Sequence, residues 1–142
     1  MRFATLAIVV IIVGGVQSAA AQSTCAVQGV WNLESVTVDG KPEPLGQRRQ
    51  QKIVTQSHFM FISQAPGANG AKDFGAGSYR VSGNKYSEHL DFFYDPQYLN
   101  RDLQATCGVA GGKWTHAFEW VTLKDGKETG RSKVVEIWRK VE

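Results

Sequence analysis

Ser78-Tyr79-Arg80-Val81-Ser82-Gly83-Asn84-Lys85-Tyr86-Ser87-Glu88-His89-Leu90-Asp91-Phe92 reads as two strands joined by a two-residue loop. Gly-Asn is a hairpin-turn pair, and both flanks are rich in aromatic and β-forming residues. The loop sets the register, opposing Ser82 to Lys85, Val81 to Tyr86, Arg80 to Ser87 and Tyr79 to Glu88. Successive side chains point to opposite faces. Tyr79, Val81, Tyr86, Glu88, Leu90 and Phe92 therefore share one side, while Ser78, Arg80, Ser87, His89 and Asp91 share the other. The apolar set faces inward, which places one carboxylate, Glu88, among aromatic rings and across from the Tyr79 phenol.

The same grammar extends in both directions. Asp39-Gly40, Pro66 to Gly70, Asp95-Pro96, Gly111-Gly112 and Asp125-Gly126 are turn signals. The segments Val30 to Val38, Ile53 to Ser63, Lys113 to Leu123 and Ser132 to Val141 between them are rich in Val, Ile, Thr, Phe, Tyr and Trp without a helical period. Only Leu45 to Gln51 has the look of a helical turn. The predicted class is all-β. Hairpin-length connections in a chain of this size point to a single antiparallel up-and-down β-barrel, because closure removes exposed strand edges. About eight strands enclose an interior that side chains can fill or that can hold one small ligand.

The chain has 142 residues, 42% of them hydrophobic and 20% charged, enough for one domain and too apolar for disorder. Arg2, the apolar run Phe3 to Val13 and the small residues ending in Ala19-Ala20-Ala21 form the pattern of a secretory signal peptide over residues 1–21, leaving a barrel domain over 22–142. Without the leader, 15 basic residues face 13 acidic ones, a formal charge of +2. That balance implies no nucleic-acid partner. Gln47-Arg48-Arg49-Gln50-Gln51-Lys52 is the one basic cluster and reads as a solvated face. No later segment is long and apolar enough for a membrane span, so a periplasmic or secreted protein is expected. Cys25 and Cys107 are the only cysteines, and an even count in an exported chain predicts a disulfide between them.

Gly29-Val30-Trp31 on the first strand resembles the Gly-x-Trp motif of the lipocalins, and Ile137-Trp138-Arg139 on the last resembles their closing basic residue. The segments Lys52 to Phe59, Gly77 to Val81 and Tyr86 to His89 are similar to bacterial exported lipocalin-like domains, most of which have no assigned activity. The resemblance covers essentially all of residues 22–142. It implies a calycin-type barrel in which Trp31 plugs the closed end while Arg139 lies over its ring as a cation–π partner. The chain departs from vertebrate-type lipocalins in its short length, in lacking a Thr-Asp-Tyr run and in lacking a long helix before the last strand. It is closer in size to the fatty-acid-binding proteins, and the ligand class does not transfer.

The candidate ligand-binding residues are Glu88 with Tyr79 and Tyr86, His58, Phe92, and the aromatic face of one strand formed by Trp114, His116 and Phe118 with Trp120. An ionised carboxylate inside an apolar barrel requires a hydrogen-bonding or cationic partner, supplied by tyrosine hydroxyls, by Arg80 or by a ligand. Alternation sets His58 with Met60 and Ile62 on a core or cavity wall, and Tyr94 extends the wall of Phe92. His58 and His116 are potential haem or metal ligands, but a lone strand histidine ordinarily packs or faces solvent, so no cofactor or metal is expected. His89 reads as surface. No Gly-x-Ser-x-Gly elbow, His-Glu-x-x-His pair or phosphate loop is present, and no catalytic residue is assigned. The leading expectation is non-covalent binding of a small apolar or amphiphilic molecule. A second is a filled barrel that meets a protein or cell-envelope partner through loops 66–73 or 94–102. A third, an isomerase or hydrolase using Glu88, His58 and a tyrosine, is required by nothing in the spacing.

Overall fold

The computed structural model describes residues 25–65, 70 and 72–141. The expected leader lies outside these residues, as does most of the loop after Gln64. The strands are β1 (Gly29–Val38), β2 (Lys41–Glu43), β3 (Arg49–Val54), β4 (His58–Gln64), β5 (Asp73–Ser82), β6 (Lys85–Phe93), β7 (Asp102–Ala110), β8 (Lys113–Lys124) and β9 (Lys127–Lys140), with one 3-10 turn at Pro96–Tyr98. From β3 onward each strand pairs antiparallel with the next, and β1 pairs with both β3 and β9. The result is a closed eight-stranded antiparallel up-and-down barrel. The short β2 folds back on Val36–Val38, beyond the part of β1 that β3 covers.

Turn chemistry explains the meander. Asp125 and Gly126 both adopt positive φ, 52° and 72°, as a two-residue loop matching the twist of its flanking strands requires. The Gly83-Asn84 hairpin has the register read from sequence, with Tyr79 opposite Glu88 and Val81 opposite Tyr86. Three expectations are corrected. Leu45 to Gln51 is no helical turn: the Arg48 N–H closes a tight turn on the Leu45 carbonyl at 2.9 Å and β3 follows at once. Ile53 to Ser63 is two strands, since the chain reverses at Thr55–Ser57, where the Thr55 N–H bonds the His58 carbonyl. Strand β7 lacks a strong sequence mark because its inward set, Leu103, Ala105, Cys107 and Val109, has one β-branched residue and no aromatic one.

Of three bulges, one of them at Thr129 in β9, two re-aim side chains near the interior. In β6 the register shifts so that Leu90 opposes Gly77 and Phe92 opposes Ala76, leaving Asp91 as the extra residue. Leu90 stays inside, Phe92 is turned out to 66% exposure, and Phe93 takes the inward place, packing against Phe61, Tyr98 and Trp120. The expected inward Phe92 is thus overturned by one residue. Gly77 sits opposite this bulge because any Cβ there would strike the His89 carbonyl oxygen. In β1 the shift between Leu33 and Ser35 leaves Glu34 outside, where it takes Lys113 at 3.2 Å and Arg139 at 2.6 Å.

The expected pairing of Trp31 with Arg139 is also corrected. Trp138 points into the barrel, so its neighbour Arg139 must point out, and it does so on Glu34. Lys140, directly opposite Trp31 on β9, holds the cation–π position instead, 5.7 Å from the ring centre.

Cys25 and Cys107 form the expected disulfide, spanning 82 positions. Together with the Trp31 Nε1–H bond to the Val27 carbonyl at 2.7 Å, it straps the N-terminal segment from β7 to β1 across one end of the barrel. Val27 is buried in consequence. Replacing Cys107 by Ser removes a long-range cross-link, and the expected loss is about 2–4 kcal/mol. Urea unfolding of the variant against the wild-type protein measures it.

Candidate functional site

The strapped end is solid. Trp31, Trp114, Trp138 and Tyr86 are fully buried there, with Trp114 edge-on to Trp31 at 5.6 Å and to Tyr86 at 5.3 Å. Rings of this size fill the taper of a small barrel without a helix to plug it.

Above this layer the interior turns ionic. Lys52, on β3, is only 3% exposed, and its Nζ donates to Glu88 Oε1 at 2.5 Å. The Tyr86 hydroxyl donates to the same oxygen at 2.8 Å. The Lys52 ammonium also lies 5.2 to 5.9 Å from the centres of the Phe59, Tyr86, Trp114 and Trp138 rings. Ring faces and one carboxylate replace its hydration shell, which makes this burial tolerable. Burial, followed by the neighbouring Glu88 charge, pushes the Tyr86 phenol far above its ordinary range, so it serves as a donor.

A second pair stands beside the first. His116 on β8 and Glu136 on β9 are register partners, and His116 Nδ1 is 3.0 Å from Glu136 Oε2. Trp138 Nε1–H donates to that same oxygen at 3.0 Å. Burial works to raise the Glu136 pKa, but the His116 hydrogen bond and charge, the Lys52 charge and the Trp138 N–H outweigh it and hold the carboxyl below its ordinary 4.5. His116 Nε2 and Trp114 Nε1 are buried without a hydrogen-bond partner among the described residues.

These pairs form the floor of a cavity of about 290 Å³, open at the end away from the disulfide. Its walls are Phe61, Leu90, Phe93, Phe118, Trp120 and Val134. Gly75 keeps one wall thin, since a Cβ there would collide with the Phe61 and Phe93 rings. At the mouth stand Tyr94, Gln50 and the Arg48 and Asp73 pair, 3.9 Å apart.

The residues expected at a ligand site divide accordingly. Glu88, His116 and Phe118 line the cavity, as do Trp120 and Tyr94, while Tyr86 and Trp114 lie in the packed layer that supports the floor. Tyr79 stands apart from the cavity, donating its hydroxyl to the Thr55 carbonyl at 2.8 Å. His58 is corrected from wall to exterior: it is exposed and bonded to Ser57, because Phe59, Phe61 and Ser63 carry the inward face of β4. It therefore meets neither His116 nor Glu88, and no acid–base site combines them. Arg80 is outside too. His89 is on the outer face with Asp91 and Asp102, as expected. Lys52, Glu136 and Phe93 were missed. Lys52 was hidden in a basic cluster read as surface, although period-two alternation back from the inward Val54 reaches it.

Truncating Lys52 to Met strands Glu88 as a buried charge, with an expected cost of about 3–5 kcal/mol. The double variant Lys52→Met, Glu88→Leu removes both charges and regains most of that loss. Denaturant midpoints of the single and double variants check this. A pH series tests Glu136. Because its folded pKa is depressed, its contribution is whole above about pH 4.5 and is lost as pH falls through the folded value. Glu136→Gln flattens that part of the acid limb, measured as urea midpoint against pH.

No protein-family model and no curated protein matches the chain.

Proposed function

We propose that the chain is an exported, lipocalin-like binding protein that holds a small apolar or amphiphilic molecule in the open half of its barrel. The observation that carries this reading is the cavity of about 290 Å³, with aromatic walls and a polar floor. Its volume is near the lower end of the ~300–1,000 Å³ usual for ligand pockets. Aromatic rings supply apolar contact, and the floor supplies the few polar groups that orient a ligand. Export is supported by the leader pattern at 1–21 and by the Cys25–Cys107 disulfide.

A second reading, contact with another protein, draws on the outer wall rather than the loops. Ile53, Met60 and Phe92 fall on one register row across β3 to β6, with Ile62 and Phe74 beside it, and all five are exposed. An apolar stripe of this kind marks contact surfaces.

Native mass spectrometry separates the two, using protein purified from cells expressing the full-length chain and the same sample denatured without reductant. The binding reading expects a mass excess that denaturation removes. Equal masses overturn a retained ligand, and a native mass at twice the chain's own, without excess, favours the contact surface.

A further inference from the structure

The charges around the cavity restrict what its floor accepts. Three carboxylates (Asp73, Glu88 and Glu136) and two basic side chains (Arg48 and Lys52) line it, with His116 as the sixth ionisable group apart from Tyr94. With His116 uncharged the lining carries −1, and with His116 protonated it carries zero. In neither state is it positive. Lys52 is held by Glu88 at the floor, and Arg48, 40% exposed at the mouth, stands 3.9 Å from Asp73 and donates to Gln50. A carboxylate or phosphate head at the floor would find Lys52 already paired and the Glu88 and Glu136 carboxylates beside it, and burying an uncompensated anion is costly.

Glu136 is in the opposite position. Its Oε2 takes both the His116 and Trp138 hydrogen bonds, and Oε1 accepts none from the described residues. The side chain keeps 15% of its surface, within the cavity that it lines. Beside it, His116 is 1% exposed and its Nε2 has no partner among the described residues. Phe118, Trp120 and Trp138 line the same space. Carboxylate and ring faces are the environment in which this barrel already holds one cation, the Lys52 ammonium. We propose that the cavity selects a small organic amine, its ammonium group donating to Glu136 Oε1 and its apolar body lying against the aromatic wall. The proposal rests on the cavity-binding reading and specifies the ligand's head group.

Three probes sharing one phenyl body test it by calorimetric titration of the full chain. These are 2-phenylethylamine, 2-phenylethanol and 3-phenylpropanoate, of which the first is a cation and the last an anion at about pH 7. The amine is expected to bind at least about tenfold tighter than the alcohol and tighter still than the carboxylate. Glu136→Gln is expected to reduce the amine's advantage over the alcohol to near unity, and a retained advantage would remove Glu136 from the role. Should that variant fail to fold, the wild-type ratios decide alone. Equal binding of amine and alcohol, or tighter binding of the carboxylate, overturns the amine proposal and leaves the cavity reading standing. Failure of all three to bind overturns both.

Discussion

The buried Lys52 and Glu88 pair is the constraint around which the interior is arranged. A lysine ammonium and a glutamate cannot leave water for a barrel core unless each replaces the other's solvation and further groups complete the shell. Here the Tyr86 hydroxyl completes one side and four aromatic rings the other. That requirement explains why the rings crowd the strapped end. Those that surround Lys52 belong to the same layer that closes the barrel, so sealing and charge stabilisation are one packing problem. The layer leaves the other half of the interior unfilled.

What stands in that open half is decided by backbone irregularities more than by composition. The bulge at Asp91 exchanges Phe92 for Phe93, and the one at Glu34 restores Val36 to the inward face opposite Glu136. Each extra residue bends its strand and re-aims those that follow. Without the β6 bulge, Phe92 would occupy the interior and Phe93 the exterior. The open cavity would then lose the ring that meets Phe61, Tyr98 and Trp120.

Much of this was legible in the chain. The Gly83-Asn84 loop fixed four register pairs, and alternation from it placed Tyr86, Glu88 and Leu90 correctly. Alternation likewise found the Trp114, His116, Phe118 and Trp120 face, and cysteine count with the leader pattern found the disulfide. The failures have physical causes. A bulge inserts one residue without a distinctive sequence mark, which cost Phe92 and Phe93. His58 was misplaced because Met60 and Ile62 are apolar yet face out, and an exposed apolar residue carries little information by itself. Lys52 was lost to the ordinary rule that lysine is exposed, a rule that holds until a buried partner exists to break it. That partner, Glu88, is evident from alternation, and its tyrosine donor with it, but no local spacing links it to a lysine on β3 across the barrel.

The two carboxylates differ in a way that bears on binding. Glu88 shares one oxygen between an ammonium and a phenol, both supplied by the chain, so its charge is already balanced. Among the described residues, Glu136 is bonded by a ring nitrogen of His116 and an indole N–H, through a single oxygen. The neighbouring charges and hydrogen bonds nonetheless outweigh the burial that opposes its ionisation. An ionised group held in place by hydrogen bonds, facing a cavity with one oxygen that takes no donor from the described residues, is organised before any ligand arrives. Preorganisation of this kind favours a ligand that donates to the open oxygen, because the cost of orienting the anion has already been met in folding.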